Sequence, residues 1–340
     1  MTVLLERRRL IVSPGLAPTQ LRREDIFGHP QHADVDLTIG LVNNMPDAAL
    51  QATERQFMRL LRQAAGNVRI DLHCFSLPSV HRSHTAKWRV DRQYTDVADL
   101  GRLKFDGLIV TGAEPNAATL PEEPFWRDLT DIIDWAETNT RSTIWSCLAA
   151  HAAVLHLDGI ERHRLGAKCA GIYDCAKMTD NWLTADLPSL LKISHSRFNE
   201  LRASDLTGKG YRVLTQSREA GVDIFVKELR SQFVFFQGHP EYDALSLERE
   251  YLRDISRYLA GERDGYPAVP AGYFDTETEN RLARFAGRAF VERRPALSAE
   301  LPDRTLRQDI AAGAAATGIF RNWLRFLSDD SRAMLQPPPH

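Results

Sequence analysis

The sequence predicts an α/β protein in which helices cover both faces of a mostly parallel sheet. Three observations support this prediction. Between residues 37 and 146, β-prone runs alternate with amphipathic helical patterns, which is typical of consecutive β–α units. Residues 210–238 instead contain closely spaced β-prone runs separated by turn signals, which predict antiparallel hairpins added to the sheet. Long helical patterns then follow, and they predict a helical C-terminal extension.

The elements can be placed in order from the hydrophobic spacing. The first strand is predicted at 37–44, and Pro46 and Asp47 suit the start of the helix that follows it. The later elements are strands at 67–77, 105–115 and 142–146, helices at 124–138 and from residue 148, the hairpin strands, helices at 241–262 and 275–292, a helix-breaking stretch AAGAAATG at 311–318, and a last helix at 319–327.

These elements predict four parts of the chain. Residues 1–35 form an N-terminal arm, and residues 36–265 form the central α/β domain. Residues 266–330 form the helical C-terminal extension, which packs on that domain, and residues 331–340 form a disordered tail.

The composition excludes several classes of function. Of the 340 residues, 43% are hydrophobic and 26% charged, and the formal net charge of −2 gives no basic surface for nucleic acid or an anionic membrane. The N-terminus lacks the apolar core of a signal peptide, and no run approaches the length of a membrane span. Four cysteines without a CxxC pair are typical of reduced thiols, so we expect a cytoplasmic protein. We predict no metal and no cofactor.

Cys147 is the candidate nucleophile. It lies where the β-prone run STIWS turns into the helical pattern LAAHAAV, and ligands in such folds bind at the carboxyl ends of the strands. A helix N-terminus and a neighbouring histidine both favour the thiolate, which is the reactive form of cysteine. The alternative is a structural cysteine buried in a turn.

A partner base is available at the end of another strand. His239 and Glu241 follow the apolar run FVFFQG, so His239 is the candidate general base, and Glu241 the carboxylate that orients its imidazole. The backbone N–H groups of Leu148 and Ala113 are candidates for an oxyanion hole. His-Pro-Glu also occurs in ordinary loops, and His151 is a rival base, although we expect it to face the packing surface of its helix.

Nine further stretches occur in order along the chain: LVNNMP, ATERQFMRLL, FDGLIVTGA, STIWSCLAAHAAVLHLDGI, AKCAGIYD, SHSRF, GHPEYDALSLEREYLRD, GYF and RNWL. Together they resemble the homoserine O-acyltransferases of the homoserine O-succinyltransferase type. These enzymes belong to the class I glutamine amidotransferase-like superfamily, so the resemblance implies a flavodoxin-like parallel sheet with a Cys-His-Glu triad. The resemblance extends from about residue 37 to residue 326.

The resemblance implies transfer of an acyl group from acyl-CoA to L-homoserine in methionine biosynthesis. Cys147 would take the acyl group as a thioester, and His239 would then deprotonate the hydroxyl of the acceptor. At positions that match the family, Glu250 and Arg253 would bind the ammonium and carboxylate of the amino acid, and Lys168 and Ser196 would contact substrate. Without the resemblance, Glu250 and Arg253 predict only a surface ion pair at i, i+3.

Two departures from the family pattern affect the substrate prediction. The family usually has a lysine after the MP dipeptide, where this chain carries Asp47. After TGA, the family has Gly in succinyl-type and Glu in acetyl-type members, whereas this chain has Asn116 at that position, with Glu114 nearby. We favour succinyl-CoA over acetyl-CoA as the donor.

Three other functions stay open at this point. L-serine could replace L-homoserine, because one methylene gives only about 1–3 kcal/mol of discrimination. A glutamine amidotransferase or related hydrolase would use the same triad, and a degenerate, non-enzymatic binding protein would share the fold. The family also implies a possible homodimer.

Overall fold

The computed structural model describes residues 10–12, 35–307 and 312–329, and the strands among them form one ten-stranded sheet. The order across the sheet is β1-β3-β2-β4-β5-β10-β9-β8-β6-β7. The strands are β1 (Leu10–Val12), β2 (Leu37–Val42), β3 (Ile70–Phe75), β4 (Gly107–Val110), β5 (Ser142–Ser146), β6 (His163–Lys177), β7 (Leu190–Glu200), β8 (Arg212–Ser217), β9 (Gly221–Glu228) and β10 (Gln232–Phe236).

The sheet has a parallel part and an antiparallel part. Strands β3, β2, β4, β5 and β10 run parallel to one another. Strands β9, β8, β6 and β7 extend the sheet by antiparallel pairing, and β1 pairs antiparallel with β3 at the other edge. The α/β fold and the hairpin additions were thus predicted correctly. The place of β10 was not predicted. It pairs antiparallel with β9 on one side and parallel with β5 on the other, so it joins the two parts of the sheet.

Helices cover both faces of the sheet, as predicted. Apolar side chains of β2 pack with α1 and α8 on one face, while α3 and α4 pack on the other. Helices α6 and α7 form a third apolar cluster of their own. The helices are α1 (Asp47–Ala65), α2 (His84–Gln93), α3 (Trp126–Asn139), α4 (Leu148–Asp158), α5 (Ala203–Thr207), α6 (Ser246–Leu259), α7 (Thr276–Glu292) and α8 (Ala312–Ser328).

The helix break predicted at 311–318 is wrong, because α8 runs through most of this stretch. Alanine has the highest helix propensity, and here the small residues permit close packing instead of ending the helix. A Cβ atom at Gly318 would lie 2.3 Å from Cδ2 of Leu187. The glycine therefore lets α8 approach the chain before β7.

Some predictions lie outside the described residues. These are the disordered tail and all of the N-terminal arm except β1 and residue 35. Within the described ranges, no helix is both long enough and apolar enough to cross a bilayer.

Candidate active site

Cys147 occupies a strained turn between β5 and α4. Its backbone has φ 54° and ψ −114°, a conformation that residues with a side chain rarely adopt. The backbone N–H of Cys147 donates to the carbonyl of Phe236 at 2.8 Å, which fixes the turn against the end of β10. Cys147 is a free, half-buried thiol. A strained strand-to-helix turn that presents a side chain at the sheet edge is the geometry of a nucleophile elbow.

His239 lies near the Cys147 thiol, and its imidazole also contacts the carboxylate of Glu241. Its Nδ1 is 2.8 Å from Oε1 of Glu241, and its backbone N–H donates to the carbonyl of Ser194 at 2.7 Å. The sulfur of Cys147 lies close enough to the imidazole to act on its charge. Both His239 and Glu241 are buried. The three side chains predicted as a triad therefore meet in the structure, although they come from two different strand ends.

The charges around His239 favour its protonated form. Burial lowers the pKa of this imidazole, but the Glu241 carboxylate and the Cys147 sulfur together raise the pKa well above its ordinary value. An imidazolium beside the sulfur stabilises a thiolate, which is the nucleophilic form.

The candidate oxyanion donors lie where the end of β4 meets the start of α4. A Cβ atom added to Gly112 would come within 3.0 Å of the backbone nitrogen of Leu148. Gly112 therefore allows the loop that carries Ala113 to approach the helix N-terminus beside Cys147. Their N–H groups belong to the two segments that border the nucleophile.

His151 faces away from this chemistry, as expected. It is buried, and its Nε2 is 3.1 Å from Oε1 of Gln237. Burial, together with the positive charge of Arg197, lowers its pKa to about 3, so the ring is neutral.

The predicted acceptor residues form a network that reaches the triad. Lys168 Nζ is 3.3 Å from Oε2 of Glu250, and the hydroxyl of Ser196 donates to the same oxygen. Tyr242 donates to the other oxygen of Glu250, and its ring stacks on that of His239 with centroids 4.3 Å apart. Burial raises the pKa of Glu250, but Lys168 and the hydroxyl donors outweigh it, so this pKa is lowered and the group is ionised.

Arg253 lies at the edge of this network. Its side chain is 42% exposed, and its Nη2 lies 3.3 Å from Oδ1 of Asp254. The i, i+3 spacing alone predicted an ion pair between Arg253 and Glu250. In the structure Arg253 instead pairs with the adjacent Asp254. Asp254 also accepts from Lys168 at 3.0 Å.

A cavity of about 250 Å³ lies beside Lys168 and Glu250. Phe198, Asp254, Arg263 and Tyr266 contribute to its wall. Glu250 links the cavity wall to His239 through Tyr242, while the triad residues are not among the described residues that line the cavity.

The loop predicted to select the acyl donor is anchored by a buried carboxylate. Oε1 of Glu123 accepts the backbone N–H groups of Asn116 at 2.7 Å and of Ala117 at 2.8 Å. Asn116 and Glu114 are both exposed, and Glu114 pairs with Arg257 at 3.4 Å. The loop is thus fixed through its backbone, which leaves the two side chains at the surface.

Asp47, where the family has lysine, serves as an anchor. It accepts the backbone N–H of Ser83 at 2.8 Å and pairs with Arg82 at 3.4 Å. The carboxylate therefore ties the start of α1 to the segment before α2.

Three residues near the site were missed from the sequence. Tyr242 follows the His-Pro-Glu stretch directly, so its position was a usable signal. Asp254 lies one turn after Glu250 on α6, which also gave a signal. Arg162 gave none. Burial lowers the pKa of this half-buried guanidinium, whereas nearby Glu123 and Cys147 raise it.

A second buried cluster consists of Cys175, His195 and Asp223. Their ligand atoms lie within 4.8 Å of one another, so the group could hold a metal ion. Thr215 donates to Oδ2 of Asp223 at 2.9 Å, and Nε2 of His195 lies 3.4 Å from Oδ1 of the same carboxylate. Asp223 also lies beside the residue that precedes His239, because a Cβ atom added to Gly238 would come 2.6 Å from its Oδ1.

Comparison with known proteins identifies the family of this chain. The family model for homoserine O-succinyltransferase matches residues 19–333. A homoserine O-succinyltransferase from Bradyrhizobium japonicum is 56% identical over 97% of this chain and 100% of its own length. One from Rhodopseudomonas palustris is 54% identical, also over 97% of this chain and 100% of its own length.

The fold is shared with more distant structures. A glutamine amidotransferase from Thermotoga maritima superposes with a TM-score of 0.50 at 12% identity, over 87% of this chain and 100% of that one. The predicted amidotransferase-like fold and the prediction of an acyltransferase enzyme are both confirmed. The chain belongs to the homoserine O-succinyltransferase family.

Proposed function

We propose that this enzyme transfers the succinyl group of succinyl-CoA to the hydroxyl of L-homoserine, through a thioester on Cys147, in methionine biosynthesis. The observation that carries the proposal is the strained turn at Cys147, with the imidazole of His239 against the thiol and Glu241 2.8 Å behind it. The names of the relatives, which match nearly the whole chain, support the donor and the acceptor. The free cysteines also fit a cytoplasmic enzyme.

The reaction has two halves. In the first, the Cys147 thiolate attacks the thioester carbonyl of succinyl-CoA, the N–H groups of Leu148 and Ala113 stabilise the oxyanion, and the thiol of CoA leaves with a proton from the imidazolium. In the second, the neutral imidazole of His239 takes the hydroxyl proton of homoserine as its oxygen attacks the acyl-enzyme. Collapse of the second oxyanion releases the ester and restores the thiolate and the imidazolium.

Intact-mass spectrometry tests the first half directly. Mixing the enzyme with succinyl-CoA in the absence of acceptor should add the mass of one succinyl group, and L-homoserine should then remove it. Cys147→Ala should form no adduct, whereas Cys169→Ala, which removes another free and half-buried thiol, should react like the wild type.

Other outcomes would redirect the proposal. An adduct with acetyl-CoA alone would reassign the donor, and faster release by L-serine would reassign the acceptor. If neither CoA ester acylates the wild-type enzyme, and glutamine is hydrolysed instead, the acyl-transfer proposal is wrong.

A further inference from the structure

Three side chains with metal-binding atoms meet inside the antiparallel part of the sheet. Cys175 lies on β6, His195 on β7 and Asp223 on β9. Their ligand atoms lie within 4.8 Å of one another, and all three residues are fully buried. None of them belongs to the triad or to the described wall of the cavity. The proposed reaction therefore leaves this cluster without a role.

The buried carboxylate of Asp223 is only partly satisfied by the protein. Thr215 donates to Oδ2 at 2.9 Å, but Oδ1 has no hydrogen-bond partner among the described residues. Nε2 of His195 lies 3.4 Å from Oδ1 without the alignment of a hydrogen bond. The nearby guanidinium of Arg197 donates to two backbone carbonyls instead. Because a buried carboxylate oxygen without a partner is costly, Oδ1 is available to bind a cation.

The distances among the three ligand atoms fit a tetrahedral zinc site. Zn²⁺ binds a thiolate sulfur at about 2.3 Å and a nitrogen or oxygen at about 2.0–2.2 Å. A tetrahedral arrangement then separates sulfur from nitrogen by about 3.6 Å, and nitrogen from oxygen by about 3.3 Å. In the structure, Sγ of Cys175 lies 3.9 Å from Nε2 of His195, and that nitrogen lies 3.4 Å from Oδ1 of Asp223. An ion between these atoms therefore requires only small side-chain shifts.

The protonation states suit an ion with two anionic ligands. Burial and the positive charge of Arg197 lower the pKa of His195, so its imidazole is neutral and can coordinate. Burial and the Asp223 carboxylate raise the pKa of the Cys175 thiol, so a metal ion must displace the thiol proton into solvent when it binds. The resulting thiolate and the carboxylate offset both charges of a divalent ion. This balance is needed because Arg197 is already a buried cation.

We infer that Cys175, His195 and Asp223 bind a structural Zn²⁺ ion inside the antiparallel part of the sheet. Sulfur and imidazole ligands favour zinc over Mg²⁺ or Ca²⁺, which prefer oxygen ligands. The carbonyl oxygen of Tyr173, 3.8 Å from the Cys175 sulfur, is the candidate fourth ligand. The site departs from the expectation of no metal, because its ligands lie on three strands and form no zinc-binding motif along the chain.

The ion braces the strands that hold the catalytic base. Gly238 lies against the site, since an added Cβ would come 2.6 Å from Oδ1 of Asp223 and 3.0 Å from the carbonyl oxygen of Ser194. The same carbonyl accepts the backbone N–H of His239 at 2.7 Å. Zinc bound across β6, β7 and β9 therefore stabilises the two strands against which the His239 turn packs.

The metal content of the wild-type enzyme is the first test. The full chain is produced in zinc-supplemented medium and passed through a chelating resin. Inductively coupled plasma mass spectrometry should then find about one zinc ion per chain. Production in cobalt-supplemented medium should instead give the near-ultraviolet charge-transfer absorption of a thiolate–cobalt bond.

Substitutions assign the ion to this cluster. Cys175→Ser is close in size to the wild type but loses the thiolate, so zinc content should fall at least ~10-fold and the cobalt band should disappear. Asp223→Asn should also lower the zinc content. Cys169→Ser, which removes a free thiol on the same strand outside the cluster, should retain the zinc and the cobalt band. Cys147→Ala should retain both as well, which distinguishes this site from binding by the active-site thiol.

Measurements on the wild type decide the question if a variant fails to fold. A structural ion stabilises the folded state, so its removal by a chelator should lower the Tm, and Zn²⁺ but not Mg²⁺ should restore it. Wild-type enzyme that carries no zinc, or whose Tm is unchanged once the zinc is removed, would overturn the inference. So would a Cys147→Ala enzyme that loses its zinc, or a folded Cys175→Ser enzyme that keeps it. These measurements do not depend on acyl transfer, so they are separate from the test of the proposed function.

Discussion

The imidazole of His239 lies between a carboxylate and a sulfur, and both favour its positive charge. Although burial opposes that charge, the pKa of His239 stands well above its ordinary value of 6.5. Folding therefore favours protonation of this residue. Its contribution to the free energy of unfolding is fully present below pH 6.5 and is lost as the pH rises through the folded-state pKa. At neutral pH the resting enzyme should hold an imidazolium beside the nucleophile.

Replacement of Glu241 by glutamine tests this electrostatic arrangement. Glu241→Gln removes the negative charge 2.8 Å from Nδ1, so the pKa of His239 should fall and the imidazolium should be depleted at pH 7. Formation of the acyl-enzyme should then slow by roughly 100-fold or more. NMR titration of His239 and time-resolved mass spectrometry measure the two effects.

Glu248→Gln is the matched control, because it neutralises a partly buried carboxylate of α6 that pairs with Arg304 at 2.6 Å and not with His239. It should change neither quantity. An unaltered titration of His239 in Glu241→Gln would show that the carboxylate does not set its charge.

Single residues also show what the sequence could and could not predict. Cys147, His239 and Glu241 were identified because each follows a β-prone run, and the ends of parallel strands converge. Arg162 was missed because its segment has no periodicity or motif, and its position near Glu123 and Cys147 is created only by the tertiary fold. Side-chain pairing between distant segments leaves no local pattern in the sequence.

The end of β4 and the start of α4 act together as one element of the site. Glycine at 112 is required there because the nearest atoms of the partner segment belong to Leu148, including its backbone nitrogen. The strands and helices of this region were predictable from alternating apolar runs. The close approach was not, because it depends on the distance between two segments and not on the propensity of either.

Replacement of Gly112 by alanine should impair catalysis more than folding. The added Cβ would lie 2.9 Å from Cβ of Leu148, so the loop must move away from the helix N-terminus. If the backbone N–H of Ala113, which this loop carries, forms half of the oxyanion hole, kcat should fall about 100- to 1,000-fold. Steady-state kinetics, with thermal unfolding followed by circular dichroism, would separate the two effects.

Gly101→Ala provides the comparison, because an added Cβ there would lie 3.9 Å from Nε1 of Trp135, which is ordinary van der Waals contact. It should leave kcat unchanged. A Gly112→Ala enzyme with wild-type kcat would contradict the assignment of the oxyanion hole to this junction.

At the scale of the whole molecule, α8, the last helix that the structure describes, is part of the apolar core on one face of the sheet. The sequence predicted residues 266–330 as an extension packed on the α/β domain, and a single apolar pattern cannot tell which surface a helix will cover. In the structure, α8 lies against α1 on one face of the sheet, and Phe320 and Trp323 are fully buried there. The indole N–H of Trp323 donates to the hydroxyl of Ser142 on β5 at 3.0 Å, five residues before the nucleophile. Helix α8 thus supports the strand that presents the thiol.

Truncation of this tryptophan should therefore destabilise the whole fold. Trp323→Ala removes a fully buried indole that also lies against Gly107 on β4, where an added Cβ would come within 2.7 Å of the ring. The free energy of unfolding should fall by about 3–5 kcal/mol, measured by urea denaturation at matched pH. Trp88→Ala, at a side chain that is 53% exposed, should change it by less than about 1 kcal/mol. Equal losses in the two variants would mean that α8 is a peripheral attachment, because a helix that supports β5 cannot lose its largest buried ring without weakening the sheet.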